Sequence, residues 1–148
     1  MLVHYRQNRS GAEETVKRVA DLGCGASSLA GDIAKDSDRQ RMVDTAFDRL
    51  GDVQTWVNNA GADVLTGAAG ELDFAAKLRR LIEVDVEGTI HLSKLVAERL
   101  IQAKRDTPAS MTFIGWDQAL RGMEGDAGQM FAPVKAAVMA FAASMAQS

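Results

Sequence analysis

Short β-prone segments alternate with segments of helical periodicity along most of this chain, and this alternation constrains the fold more than any other feature. Neighbouring parallel strands need a long crossover, which is usually a helix, so the alternation indicates a mainly parallel sheet with helices on both faces. The segments predicted as strands are residues 2–5, 26–30, 53–57 and 111–114. The pattern predicts a single α/β domain over residues 1–148.

The predicted helices have recognisable starts and ends. Two pairs have the spacing of a capping box, Ser10 with Glu13 and Ser37 with Gln40. Glycines 23 and 25 are expected to end the first helix and Gly51 the second. Helical periodicity persists from residue 72 to 103, with a break or bend expected at 84–88. After a loop with glycines 115, 122, 125 and 128, a last helix is expected over 131–146, with Pro133 in its first turn.

Composition and charge exclude several classes of protein. The net charge is −3 and the basic residues are spread along the chain, so no basic stripe favours a nucleic acid partner. No apolar run approaches the roughly 20 residues that span a bilayer, so we expect a soluble cytoplasmic protein without membrane contact. Cys24 is the only cysteine, which excludes an internal disulfide and a cysteine-cluster metal site. We expect it to be buried, and we predict no metal ligands.

Four segments carry the functional signal. Residues 57–61 (VNNAG) end a predicted strand, residues 31–33 (GDI) follow another, and residues 4–8 (HYRQN) span the end of the first. Residues 130–138 (MFAPVKAAV) place Phe131 one helical turn before a lysine, so both side chains face the same side. In their order along the chain, the segments resemble the short-chain dehydrogenase/reductase family, although VNNAG alone would be only a turn signal.

The resemblance implies the fold class and the cofactor. It implies a partial Rossmann-like, doubly wound parallel sheet, that is, a single incomplete NAD(P)-binding domain. A basic residue without an acidic neighbour after the second family strand favours NADP over NAD. The cofactor-binding residues that it implies are Arg6 and Asn8 at the 2′-phosphate, Asp32 and Ile33 at the adenine, Asn59, Ala60 and Gly61 along the cofactor, and Lys135 at the ribose. Solvated surface charge explains Arg6 equally well, and a carboxylate before a helix explains Asp32.

The front of the chain departs from the family pattern. The glycine-rich fingerprint that holds a pyrophosphate is not recognisable in this sequence. In the strand order 3-2-1-4-5-6 the first strand lies between the second and the fourth, so without it two unpaired edges are expected at the centre of the sheet. We therefore expect a truncated gene product or a fragment, which also stops before the family's last strands.

The implied active site also departs from the pattern. Lys135 remains, but Phe131 occupies the position of the catalytic tyrosine, and a phenyl ring has no proton to donate. Asp85 occupies the position of the asparagine. The serine position aligns with Trp116 when counted from the strand end, or with Gln118 when counted back from the tyrosine position. Asp117 lies between them and is a substitute acid or base if it is buried, or a solvated loop carboxylate if it is not.

Three functions remain open at this stage. The first is an oxidoreductase that moves hydride between NADP(H) and a small carbonyl or alcohol substrate. The second is a catalytically silent, dinucleotide-binding or dimerising relative. A receiver-like or flavodoxin-like domain is a weaker third, because neither an acidic cluster nor a flavin loop is evident. A homo-oligomer is expected in the first two cases, through helices that carry Leu92, Leu95, Val96, Leu100, Val138, Phe141, Ala142 and Met145; packing within one chain explains these residues equally well.

Overall fold

The structure, a computed structural model, describes residues 1–103 and 108–147. Within these ranges strands alternate with helices, so the predicted α/β class is confirmed. The strands are β1 (Leu2–Tyr5), β2 (Ser27–Ala30), β3 (Thr55–Asn58) and β4 (Ser110–Phe113). The helices are α1 (Arg9–Asp21), α2 (Asp36–Leu50), α3 (Gly67–Gly70), α4 (Phe74–Leu81), α5 (Thr89–Gln102) and α6 (Gly125–Met145), and a π-helical segment (Ile82–Gly88) connects α4 to α5.

The strands form two separate parallel pairs in the described part of the chain. β1 pairs with β2, with Leu2 opposite Ser27, and β3 pairs with β4, with Thr55 opposite Ser110. No described strand joins β1 to β3. The prediction of two edges without a neighbouring strand is therefore confirmed.

The N-termini of α1 and α2 differ from the prediction, and neither capping pair forms. The side chain of Asn8 caps α1 by accepting a hydrogen bond from the Gly11 N–H at 3.0 Å. Asparagine is at least as good a cap as serine, so α1 begins at Arg9 and Ser10 lies inside it. α2 begins at Asp36 without a side-chain cap, and acidic residues in its first turn face the positive end of the helix instead.

The last helix begins earlier than predicted. α6 starts at Gly125, so Pro133 lies in its interior and not in its first turn. Gly128 also belongs to this helix. A Cβ at this position would lie 2.0 Å from the carbonyl oxygen of Met123. Glycine at this position therefore permits a close approach of the preceding loop. The sequence-based prediction assigned Gly128 to that loop and not to the helix.

The predicted bend near residues 84–88 is the π-helical segment. The helical hydrogen bonding is not interrupted there, and its wider turn reorients the side chains that follow. A Cβ on Gly88 would lie 2.9 Å from the carbonyl oxygen of Ile33. Glycine therefore lets this segment pack directly against the loop after β2.

Two apolar clusters hold the helices against the strands. The larger one joins β2, α2 and α5 through residues such as Leu29, Phe47 and Val96. The smaller one consists of Val64, Leu81, Met130 and Val134, and it joins α4 to α6. Phe113 of β4 meets Phe141 of α6 edge to face, with ring centroids 5.9 Å apart. Of the residues considered for an interface, Leu92, Val96 and Val138 are buried within the single chain.

Two further observations concern the surface. Cys24 is exposed, so the expectation that it is buried is wrong. It follows Gly23, whose φ of +80° ends α1 and directs the chain away from the core. Among residues 1–103 and 108–147, no helix combines the length and the apolar character that crossing a membrane requires.

The loop after β2 is fixed by residues of α2. Asp38 accepts a hydrogen bond from the Asp32 N–H at 2.8 Å and one from Arg41 at 2.8 Å. The guanidinium of Arg41 and the N–H of Asp32 lower the pKa of Asp38 below its ordinary value. Buried Arg39 donates to the carbonyl oxygen of Ile33 at 2.5 Å. The positions of Asp32 and Ile33 therefore depend on one face of α2.

We predict that Asp38→Asn destabilises the protein at neutral pH and that the difference from the wild type disappears in acid. Because the pKa of Asp38 is lowered in the folded state, its contribution is complete above the unfolded-state pKa of about 3.9 and is lost as the pH falls through the lower folded value. Urea unfolding of both proteins between pH 7 and pH 2.5 measures this. A difference in stability that stays constant with pH would contradict this prediction. Asp48→Asn, on an exposed position of α2, is the control.

Candidate active site

The loops that follow β2 and β3 meet at the π-helical segment. The Ile33 carbonyl lies against Gly88, and Gly61 lies against Asp85, where an added Cβ would be 3.0 Å from the carboxylate. The carboxyl ends of parallel strands lie at one edge of a sheet, which is where α/β proteins bind their ligands. The predicted segments at Asp32 and Asn59 therefore lie on the same side of the molecule.

Asp85 is the centre of this region. It is 2% exposed, and its Oδ1 accepts a hydrogen bond from the Ala62 N–H at 2.7 Å. Its Oδ2 forms an ion pair with Nζ of Lys135 at 3.0 Å. The loop after β3, the π-helical segment and α6 are thus joined through one carboxylate.

The local sequence explains this placement. The wide π turn brings both Val84 and Asp85 to buried positions, so an apolar and an ionic side chain point inward side by side. On α6, Val134 and Val138 are buried, and they fix the face from which Lys135 reaches the carboxylate. A carboxylate this deeply buried requires such a partner, because removal of either charge leaves the other unpaired.

An apolar pocket of about 280 Å³ lies on the other side of Lys135. The rings of Phe131 and Trp116 meet there edge to face, with centroids 6.5 Å apart. Its lining consists of Leu65, Gly115, Trp116, Met123, Ala127, Phe131 and Lys135. Lys135 is the only charged residue in this lining, so the pocket suits a small, mainly apolar molecule.

Two residues considered for the catalytic set lie outside this lining. Asp117 is exposed, which agrees with a solvated loop carboxylate. Gln118 is half-buried, and its backbone carbonyl accepts hydrogen bonds from the N–H groups of Arg121 and Gly122 in a turn. Of the two residues aligned with the serine position, Trp116 lines the pocket and Gln118 does not.

A larger groove of about 610 Å³ lies between β1 and β3, and it is called the β1–β3 groove below. Its lining includes Arg6, Ile33 and the loop residues Asn59, Ala60 and Gly61. Of the other three predicted cofactor residues, Lys135 pairs with Asp85, and Asn8 and Asp32 have local structural partners. Asn8 caps α1, and Oδ1 of Asp32 accepts the Ala34 N–H at 3.1 Å.

Three residues of this region were missed by the sequence analysis. Thr89 is buried and lines the β1–β3 groove. Asn58 also lines it, and its buried Nδ2 has no hydrogen-bond partner. Ser93 is fully buried on α5 with an unpaired hydroxyl. Only Asn58 had a sequence signal, as the first asparagine of the VNNAG segment. In the described part of the chain, no group of three His, Cys, Asp or Glu side chains is placed to hold a metal ion.

Comparison with known proteins identifies the family. The family model described as short chain dehydrogenase matches residues 1–148, so the chain belongs to the short-chain dehydrogenase family. Glucose 1-dehydrogenase 2 of Bacillus subtilis is 28% identical over 102 residues, which are 69% of this chain and 39% of that protein. The chain thus spans well under two thirds of this relative.

Solved structures show the same fold. A short chain dehydrogenase from Burkholderia cenocepacia in complex with NADP has a TM-score of 0.77 at 21% identity, covering 99% of this chain and 56% of that one. A 3-oxoacyl-[acyl-carrier protein] reductase from Brucella melitensis in complex with NAD has a TM-score of 0.77 at 20% identity, covering 95% and 54%. The Rossmann-like fold class is therefore confirmed.

We predict that Asp85→Ala lowers the free energy of unfolding by about 3 kcal/mol, because it leaves Lys135 and the Ala62 N–H unpaired in a buried place. Asp85→Asn should cost less, since the amide oxygen still accepts the N–H. Urea unfolding at pH 7 measures both. Asp117→Ala, on an exposed aspartate, is the control, with a change within about 0.5 kcal/mol. An Asp85→Ala effect as small as the control would contradict the role assigned to the carboxylate.

Proposed function

We propose that this chain is the cofactor-binding and catalytic region of a short-chain oxidoreductase that transfers hydride between NADP(H) and a small carbonyl or alcohol substrate, with a degenerate active site. One observation carries the proposal. The ion pair of Asp85 with Lys135, together with the hydrogen bond to Ala62, joins the two segments with the most specific family resemblance into one site. Ala62 directly follows the VNNAG segment and lies 73 positions before Lys135 in the sequence.

The residues present fit a dinucleotide at the carboxyl end of the strands. Gly61 and Ala60 have no bulky side chain, so their backbone accepts close approach of a ligand. Ile33 and Arg6 line the same end of the groove, and Arg6 is exposed there as a partner for a phosphate. The relatives in complex with NADP and with NAD make either cofactor compatible with the fold, and Arg6 is our reason for preferring NADP.

The chain's own residues would position the reactants. The nicotinamide, when bound, supplies or accepts the hydride. Lys135 has an ammonium group at the junction of the small pocket and the loop after β3, where it donates to a ribose hydroxyl or a substrate oxygen. The rings of Phe131 and Trp116 line the pocket beside it. With Phe131 in place of a tyrosine, the carbonyl oxygen has no phenol as proton donor, so turnover should be slow.

A catalytically silent, dinucleotide-binding protein is the second candidate, and one observation favours it. The ammonium of Lys135 is already engaged by a buried carboxylate, so a ligand must share it or displace it. In either case we expect a cytoplasmic homo-oligomer. The half-buried Leu95 of α5 and Phe141 of α6 support this, because both helices leave partly exposed apolar side chains.

We predict that the protein binds NADPH more tightly than NADH, and that Arg6→Ala weakens NADPH binding about fivefold while NADH binding is unchanged, because only NADPH has the 2′-phosphate. Titration calorimetry measures both. Arg18→Ala is the control, since Arg18 is also exposed but lies at the end of α1, outside the groove lining. Equal affinities in the wild type would remove the preference for NADP.

We predict that Phe131→Tyr raises NADPH-dependent turnover of acetophenone tenfold or more, because it introduces a phenol one helical turn from Lys135. Turnover is followed by the absorbance of NADPH. Asp117→Asn is the control and should change turnover by less than twofold. If the Asp117 variant abolishes an activity that Phe131→Tyr leaves unaltered, the assignment of Phe131 is wrong. NADPH binding without turnover in both proteins would favour the silent candidate.

A further inference from the structure

The charges around the small apolar pocket are arranged unevenly. The lining that the structure describes contains one charged residue, Lys135. Four further charged residues belong to the segment 115–127, which supplies much of the lining, but all four are exposed and outside it: Asp117, Arg121, Glu124 and Asp126. Three of these four are acidic, so the solvent-screened charges near the pocket do not favour an anion.

The charge of Lys135 is balanced on the side away from solvent. The side chain of Lys135 is 18% exposed, and its Nζ lies 3.0 Å from Oδ2 of Asp85. The other carboxylate oxygen of Asp85 accepts the Ala62 N–H at 2.7 Å, which holds the carboxylate in place. The pair beside the pocket therefore has no net charge.

This balance bears on which ligands the pocket accepts. Burial of a charged group among apolar side chains is costly unless a partner of opposite charge is available. For a ligand carboxylate that partner would be the Lys135 ammonium, which Asp85 already neutralises. A neutral carbonyl oxygen loses less hydration and needs one donor. An ammonium group has three N–H donors, so it can serve such an oxygen without leaving Asp85.

The aromatic side chains of the pocket define the rest of the ligand. The rings of Trp116 and Phe131 meet edge to face, and Met123 lies in the same lining. A planar ring packs well against aromatic faces and against a thioether. The volume of about 280 Å³ lies just below the range of roughly 300–1,000 Å³ that drug-sized ligands occupy, so a molecule with a single ring fits best.

We propose that Asp85, by neutralising Lys135, makes the small apolar pocket select uncharged aromatic carbonyl compounds over carboxylates of the same size. Asp85 acts through Lys135 and does not contact the ligand itself, so it is a positioning residue that sets specificity. The inference rests on the proposed function in taking this pocket as the substrate site, and it extends that function by naming the substrate class.

Ligand titration by NMR tests the proposal with the whole chain and without cofactor. The probes are acetophenone and benzoate, which differ in that a methyl group replaces a negatively charged oxygen. The indole N–H of Trp116 reports binding in the pocket, and that of Trp56, in the β1–β3 groove, is the internal reference. At pH 7 the wild type should bind acetophenone at least fivefold more tightly than benzoate. Equal or tighter binding of benzoate, or no shift of Trp116 with either probe, would overturn the proposal.

Asp85→Asn tests the role of the carboxylate. It leaves Lys135 with an unbalanced charge, so benzoate should bind at least tenfold more tightly than in the wild type, while acetophenone changes less than threefold. The double variant Asp85→Asn/Lys135→Met has no charge at this place and should prefer acetophenone again. Asp117→Asn removes an exposed carboxylate near the pocket and should leave the preference unchanged. Unchanged benzoate affinity in Asp85→Asn would refute the assignment.

A folding defect in Asp85→Asn would give a second readout. If the lone ammonium prevents folding, benzoate added during refolding should restore the folded spectrum by supplying the missing carboxylate, and acetophenone should not. Absence of this rescue would count against the proposal.

The test is separable from that of the proposed function because it involves neither NADPH nor turnover. Selectivity for acetophenone in a protein that does not bind NADPH would refute the oxidoreductase function alone. NADPH binding without selectivity would refute the role of Asp85 alone.

Discussion

The contact of Asp85 with Lys135 and Ala62 is the interaction on which the rest of the site depends. It joins three segments that the chain connects only through long excursions. A buried carboxylate is stable only with charged and hydrogen-bonding partners, so this contact fixes the relative positions of the loop after β3, the π-helical segment and α6. The ring of Phe131 and the small apolar pocket then follow from the position of α6.

Close backbone approach, made possible by glycine, allows this contact to form. Gly61 lies against Asp85, and Gly88 lies against the carbonyl of Ile33. A methyl group at either position would push apart elements that the ion pair holds together. The π-helical segment contributes in the same way, because its wider turn brings Asp85 inward without breaking the helix. Local backbone geometry and the buried charge pair therefore depend on each other.

Local patterns predict the elements of this fold well and their contacts poorly. The four strands and the bend at residues 84–88 could be predicted because periodicity and turn residues act over short distances. The start of α6 could not, since Gly128 is required by packing against Met123. The pairing of Asp85 with Lys135 is likewise a property of the folded chain. Both residues could be assigned to the site from the sequence, but their contact could not.

The neutral character of the Asp85 and Lys135 pair has a consequence for how fast a charged ligand arrives. At distances beyond the first solvent layers, a carboxylate and an ammonium 3.0 Å apart act as a dipole whose field falls off steeply. An anionic nucleotide is therefore not drawn from afar by this lysine. Arg6 is the exposed arginine that lines the β1–β3 groove, so under the proposed function the association rate constant should depend on ionic strength partly through that residue.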